Sequence, residues 1–250
     1  MKPVLRALKF HFLRSLANVQ SCFGDCDSTQ PVAFVVGCGR SGTTILGQLL
    51  SAHPEINYYF EPYHLWAAID RQTDVLNLYH RKDTRLMLSG AEVSSQTRVR
   101  FNRLIRRSHS ANLTIEKTPL NALRIGYIEK LAPTAKFVHI VRDGVDVANS
   151  IDRLARGNTY KIAGMPSLNQ WWGVDDSKWR SLEKEGCKAG YYPEAVSDRL
   201  SHHAKGAYEW LVSLKEIDRQ RQLLGSRFYE LNYTEFVHQP ASELTKLCHF

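Results

Sequence analysis

Residues 31–52 read PVAFVVGCGRSGTTILGQLLSA, and two patterns meet in that stretch. Pro31 to Gly37 is a continuous apolar run, the signature of a strand buried on both faces of a parallel sheet. Thr43 to Ala52 is apolar at helical spacing as far as the break at Pro54. Between them Gly37 and Gly42 stand at the spacing G-x-x-x-x-G, which makes a strand, a tight loop and a helix. Glycines let such a loop curl until successive amides point inward, and the helix start adds its partial positive charge to the same spot. The loop is therefore predicted to hold a phosphate or sulfate. In nucleoside triphosphatases a lysine follows the second glycine, whereas Thr43 stands at that position here. Arg40 is the loop's cation, and a guanidinium forks onto oxyanion oxygens without reproducing the reach of that lysine. The loop suits an oxyanion and not ATP hydrolysis.

Strand and helix signals repeat outward from this unit. Asn112 to Glu116 precedes Pro119 and a helical Leu120 to Leu131; Lys136 to Val141 precedes a helical Val145 to Leu154; Arg227 to Leu231 precedes a short C-terminal helix. Strands alternating with helices predict an α/β fold, a P-loop-type central parallel sheet flanked by helices on both faces. Residues 62–110 and 156–225 read as mostly helical insertions. No internal repeat or low-complexity segment breaks residues 31–250 into smaller units.

The 250 residues hold 33 Lys and Arg against 25 Asp and Glu, a net charge of +8, which favours an anionic ligand. Hydrophobic residues at 43% and charged residues at 23% are ordinary for a globular domain and exclude disordered, collagen-like and coiled-coil chains. Apolar runs fall far short of the roughly 20 residues that span a bilayer. Residues 1–30 form a basic amphipathic segment and a polar linker, with Lys2, Arg6, Lys9 and Arg14 but no acid in the first twenty positions. Such a segment either packs on the domain as a terminal helix or rests weakly on an anionic membrane surface. Its charges interrupt any secretory core. Five scattered cysteines do not make a disulfide framework, so a reducing, cytoplasmic setting is the expectation. Cys22 and Cys26 lack neighbours to complete a zinc site, and no metal is called for.

The loop GCGRSGTTILGQLLSAHPEI, with KFVHIVRDGVDVANS, EKTPLNALRI, WWGVDDSKW and LNYTEFVHQP, resembles the sulfotransferases that use 3′-phosphoadenosine 5′-phosphosulfate (PAPS). Within them the RSGTT loop and the glutamate after AHPEINYYF look most like the protein-tyrosine sulfotransferases and their bacterial relatives. The resemblance implies that Arg40, Ser41, Gly42, Thr43 and Thr44 hold the 5′-phosphosulfate, and that Arg142 and Ser150 hold the 3′-phosphate. Arg142 also ends an apolar strand, at the sheet edge where open α/β folds bind ligands. Its structural alternative is a salt bridge to Asp143 or Asp146. Glu61 matches the family's general base, in apolar surroundings from Tyr58, Tyr59 and Phe60 that favour a carboxyl pKa raised toward neutrality. His64 competes for that role, while His53 sits in a helix-ending turn that suits capping. Lys117 matches the lysine that stabilises charge on the oxygen bridging phosphate and sulfate. Arg40, Lys117 and Glu61 are thus the expected catalytic groups. The acceptor is a hydroxyl on tyrosine, a saccharide or a small molecule.

Two rivals stand beside this reading, a P-loop kinase or nucleotidase and a nucleotide-binding module without catalysis. In similar proteins chain continues past the position of Phe250, so truncation at the C-terminus is an expectation too. Arg98, Arg100, Arg103, Arg106 and Arg107 make a basic cluster, read as a solvated helix face because no nucleic-acid motif accompanies it. Trp171, Trp172 and Trp179 read either as core packing or as a lid over the site. Asn112 and Asn232 begin glycosylation triplets that carry little meaning without a secretory signal.

Overall fold

Every residue from Val32 to Val36 is buried, and alternate side chains serve two different cores. Val32, Phe34 and Val36 face one cluster; Ala33 and Val35 face another. Only a strand covered on both faces needs an unbroken apolar run, and that is why this segment lies mid-sheet. The computed structural model describes residues 2–80, 84–107, 111–191 and 200–250. Helix α1 (Lys2–Gln20) leads through the linker to β1 (Val32–Val36), α2 (Thr43–Leu50), β2 (Ile56–Phe60), α3 (Tyr63–Ile69) and α4 (Ser95–Leu104). There follow β3 (Leu113–Lys117), α5 (Ile125–Leu131), β4 (Lys136–Val141), α6 (Gly144–Gly157), and a small hairpin of β5 (Leu168–Asn169) and β6 (Gly173–Val174). Helices α7 (Ser177–Lys188) and α8 (His202–Arg221), strand β7 (Phe228–Asn232), and helices α9 (Tyr233–His238) and α10 (Pro240–His249) complete the chain.

The main sheet has five parallel strands in the order β2–β3–β1–β4–β7. Helices α3, α4 and α5 supply Trp66, Phe101 and Ile128 to the core on one face; α2, α9 and α10 supply Leu46, Phe236 and Leu247 on the other. This is the α/β arrangement with a central parallel sheet and helical insertions that the sequence predicts. Helix α6 lays Val147, Ile151 and Ala155 into a third core with Tyr208 and Val212 of α8.

Two elements differ from expectation. Ile56–Phe60 is a fifth strand at the sheet edge, half-buried from Ile56 to Tyr59, and its tyrosines and Asn57 hide it from a search for continuous apolar runs. The single helix expected from Leu120 to Leu131 is a 3₁₀ turn, Pro119–Leu123, followed by α5, with Arg124 outside the helical region between them. That turn brings the Asn121 amide onto the buried Glu116 carboxylate at 2.7 Å.

Three arginines of the basic cluster in and just after α4 are engaged by the backbone rather than left as a free face. Arg103 donates to the carbonyls of Gly24 and Ser21, Arg106 to that of Gln30, and Arg100 to that of Ala68. Arg103 and Arg106 thereby satisfy the backbone of the linker, which has no secondary structure to do so, while Arg100 ties α4 to the end of α3. Helix α1 docks on the domain through Ala17 and its inward residues and leaves Leu5, Leu8 and Phe12 exposed outside.

Candidate active site

Parallel strands end on one edge, and the register decides which residues meet there. Val35 and Phe60 both pair with Lys117, Val36 with His139, and Val141 with Asn232. The residues that follow each strand therefore gather at one edge: the loop Gly37–Gly42, then Glu61, Arg142 and Tyr233, beside Lys117 itself.

Sterics shape the loop. Gly42 takes φ +101°, and a Cβ there would overlap the Tyr233 ring; a Cβ at Gly39 would overlap the Trp171 indole. Gly42 gives α2 no side-chain cap, so the first-turn amides are left for an anion. Among the described residues, six that are not glycine have positive φ. Four are Asn or Asp, which tolerate that region; the other two are Arg40 at 75° and Glu61 at 43°. Strain held at two such residues on one sheet edge is a mark of a functional site. At Glu61 it is held in place by the residue's amide, which donates to the Lys117 carbonyl at 2.8 Å.

The Lys117 ammonium is fully buried and lies 2.5 Å from a Glu61 carboxylate oxygen. It also donates to the Thr44 hydroxyl at 3.1 Å and sits 4.0 Å over the Phe60 ring centre. Burial pushes its pKa below the ordinary lysine value, and Glu61 opposes that shift. The apolar enclosure expected around Glu61 is absent. Phe60 is 53% exposed, and the group against the carboxylate is a cation. Behind Lys117, burial pushes the Glu116 carboxyl up to about 7 although Trp66, Thr118 and Asn121 all donate to it.

Arg40 and Arg142, from separated segments, lie together. Arg142 donates from Nη1 to the Arg40 carbonyl at 3.3 Å, and Arg40 donates from Nε to the Ser150 hydroxyl at 3.0 Å. Asp143 caps α6, which sets the phase that turns Ser150 toward Arg40 two turns later. Arg142 also pairs with Asp146 at 2.9 Å and stacks 4.5 Å over Tyr233, so the salt bridge weighed against it is present as well. Its Nε is buried without an acceptor among the described residues, a donor left for a ligand.

A cavity of about 830 Å³ joins Arg40, Thr43 and Thr44 of the loop to Glu61 and His64. The three tryptophans divide: Trp172 and Trp179 are buried in a core, while Trp171 lines the cavity above Gly39. Trp171 is fixed by residues that no sequence pattern singles out. Its indole donates to Glu209 at 2.9 Å, and the buried Lys178–Glu209 pair, 2.7 Å apart, sets an ammonium 4.0 Å over the ring. His64 lines the same space, its pKa lowered by burial and by Lys9. His53 is exposed and accepts the Glu55 amide, a turn-capping contact.

The sulfotransferase family model matches residues 31–173, more than half of the chain. The chain is 27% identical over 175 residues to a protein-tyrosine sulfotransferase of Drosophila melanogaster, covering 66% of this chain and 35% of that protein. Against protein-tyrosine sulfotransferase A of Caenorhabditis elegans it is 30% identical over 152 residues, covering 58% of this chain and 38% of that one. It thus spans well under half the length of these relatives. A solved sulfotransferase structure from Mycobacterium tuberculosis covers 96% of this chain, and is 72% covered by it, with a TM-score of 0.54 at 14% identity, a likeness of fold.

Proposed function

This chain belongs to the sulfotransferase family, and we propose that it moves a sulfuryl group from PAPS to a hydroxyl acceptor. The acceptor oxygen attacks sulfur as the bond from sulfur to the 5′-phosphate oxygen breaks. The products are a sulfate ester and adenosine 3′,5′-bisphosphate. Glu61 takes the acceptor's proton as attack proceeds, a contribution of about 10² to 10⁴ in rate. The ammonium of Lys117 and the guanidinium of Arg40 stabilise the charge that grows on the leaving oxygen. Arg40, Ser41 and the loop amides from Gly42 to Thr44 hold the 5′ end, and Arg142 with Ser150 holds the 3′-phosphate.

The observation that carries this reading is the contact of the buried Lys117 with both Glu61 and Thr44, which ties the base to the phosphate loop where both line one cavity. An acceptor lodged beside Glu61 then lies next to an anion held by the loop, so proximity supplies part of the rate. The phosphates and sulfate of the donor fit the residues present: an uncapped helix start, glycine backbones with no room for a Cβ, and the Arg142 Nε. The test is transfer of labelled sulfate from PAPS to a simple phenol. Wild type should form the ester, and Glu61→Gln should bind adenosine 3′,5′-bisphosphate without transferring. A Glu61→Gln protein that transfers at the wild-type rate would remove Glu61 from the reaction.

A further inference from the structure

Helix α1 closes the active-site cavity: Arg6, Lys9, Phe10 and Leu13 form part of its wall. The helix is tied down at several points. Arg14 donates to the Tyr79 carbonyl at 2.9 Å, the Ala163 amide donates to the Pro3 carbonyl at 3.1 Å, and the Phe10 and Tyr79 ring centres lie 5.4 Å apart. Beneath it the wall is apolar and aromatic, with Tyr63, Leu76, Leu78 and Tyr160 among its members. The cavity's carboxylates are already engaged, Glu61 with Lys117 and Glu209 with Lys178 and Trp171. Among the described residues, Arg6 and Lys9 of α1 have no carboxylate partner of that kind. Arg6 donates to the Lys161 carbonyl at 3.2 Å and lies 4.7 Å over the Tyr160 ring, contacts that leave its charge intact, and Lys9 is exposed at the rim, near enough to His64 to act on it.

The whole cavity falls within the range of roughly 300 to 1,000 Å³ typical of small-molecule pockets; with its loop end given to the donor, the apolar part beneath α1 is left for a compact acceptor. Two positive groups on a wall separate from the phosphate loop ask for a negative one. We propose that the acceptor is a small amphiphilic hydroxy acid, with an aromatic or aliphatic body, its hydroxyl at Glu61 and its carboxylate at Arg6 and Lys9. The assignment rests on the sulfuryl-transfer reading above and adds to it the acceptor's chemical class.

The test uses the full chain, PAPS, and four probes: 6-hydroxy-2-naphthoate, its methyl ester, 6-(aminomethyl)-2-naphthol, and an acidic tyrosine peptide. The naphthoate should exceed the ester in kcat/KM by about tenfold, the worth of one charge-assisted contact. Lys9→Gln, at an exposed position that folding tolerates, should lower that ratio by about threefold. The double variant Arg6→Glu with Lys9→Glu should invert the preference toward the aminomethyl compound, a gain that mere loss of structure does not produce. Parity of naphthoate and ester in wild type, a ratio unmoved by Lys9→Gln, or a peptide turned over faster than the naphthoate would overturn the acceptor assignment and leave sulfuryl transfer standing. Absence of transfer to all four probes, with adenosine 3′,5′-bisphosphate still bound, would sink sulfuryl transfer and the assignment with it.

Discussion

Replacing Lys117 by Met separates catalysis from stability, because the two respond to different features of the same ammonium. Met keeps the length and the apolar stem and removes the charge. In the folded chain that charge is fully buried, at 2.5 Å from Glu61 and 3.1 Å from Thr44. Breaking a buried ion pair usually costs about 3 to 5 kcal/mol because the remaining charge is stranded. Here the remaining carboxylate is 28% exposed and can hydrate, while the desolvated ammonium disappears. The expected change in stability is therefore small, a shift of only a few degrees in Tm. Catalysis should respond much more, since loss of a preorganised group at developing charge costs about 10² to 10³ in kcat. Single-turnover transfer of labelled sulfate, beside a thermal melt, reads both quantities. The pH dependence gives a further check. Burial lowers the Lys117 pKa below its ordinary 10.5, so activity should fall on the alkaline side at a lower pH than an ordinary lysine dictates. The sign for stability is opposite: between the folded and unfolded pKa values the folded chain binds fewer protons, so stability attributable to Lys117 rises with pH. Less than a tenfold fall in kcat, or a Tm loss matching 3 to 5 kcal/mol, would refute the reasoning.

Glu61→Gln should lower transfer by about 10² to 10⁴ with nucleotide binding intact, and His64→Gln should leave the rate within severalfold. The reverse pair of results assigns the base to His64. Arg142→Lys loses the planar fork, so calorimetry should show about tenfold weaker binding of adenosine 3′,5′-bisphosphate and unchanged binding of AMP, which lacks the 3′-phosphate. Equal losses for the two nucleotides would place Arg142 elsewhere. Gly42→Ala, at φ +101° and against the Tyr233 ring, should destabilise the protein by about 1 to 3 kcal/mol in denaturant unfolding and weaken nucleotide binding. A variant as stable as wild type would mean that the loop relaxes without consequence.

The parts of this site that were legible in the sequence share one property: their physics is local. The loop announces itself because backbone curvature demands glycine at fixed spacing, and β1 because burial on both faces demands an apolar run. Arg142 and Ser150 follow from helical phase once Asp143 marks the start of α6. What stayed hidden depends on residues far apart in the chain. The Lys178–Glu209 pair that fixes Trp171 joins α7 to α8, and each member alone reads as an ordinary surface charge. Arg103 in α4 and Arg106 just after it look like part of a solvated face until the linker carbonyls they serve are placed beside them. Helix α1 reads as a basic amphipathic segment that packs on the domain or rests on a membrane, since nothing in its own residues says that Arg6 and Lys9 border a cavity built by other elements.

The most consequential element hidden in the sequence was β2, and it explains why the residues around Glu61, read without the family resemblance, do not single it out. As a loop residue before proline, Glu61 has no reason to face the phosphate loop. As the residue after β2, it is placed by register: Phe60 pairs with Lys117, so Glu61 follows at the level of the lysine's carbonyl and its side chain reaches the lysine's ammonium. Side chains alternate along a strand, so a slip of one residue would send Phe60 where Tyr59 now packs against the core and carry Glu61 off the Lys117 carbonyl. An edge strand with half-buried positions specifies register weakly by burial alone. The contacts that fix it are Tyr59 against the core on one face, Tyr58 against Gly47 on the other, and the Glu61 amide on Lys117 at the end. The pairing of base and cation is therefore a property of the sheet edge, set by packing several residues before the chemistry begins.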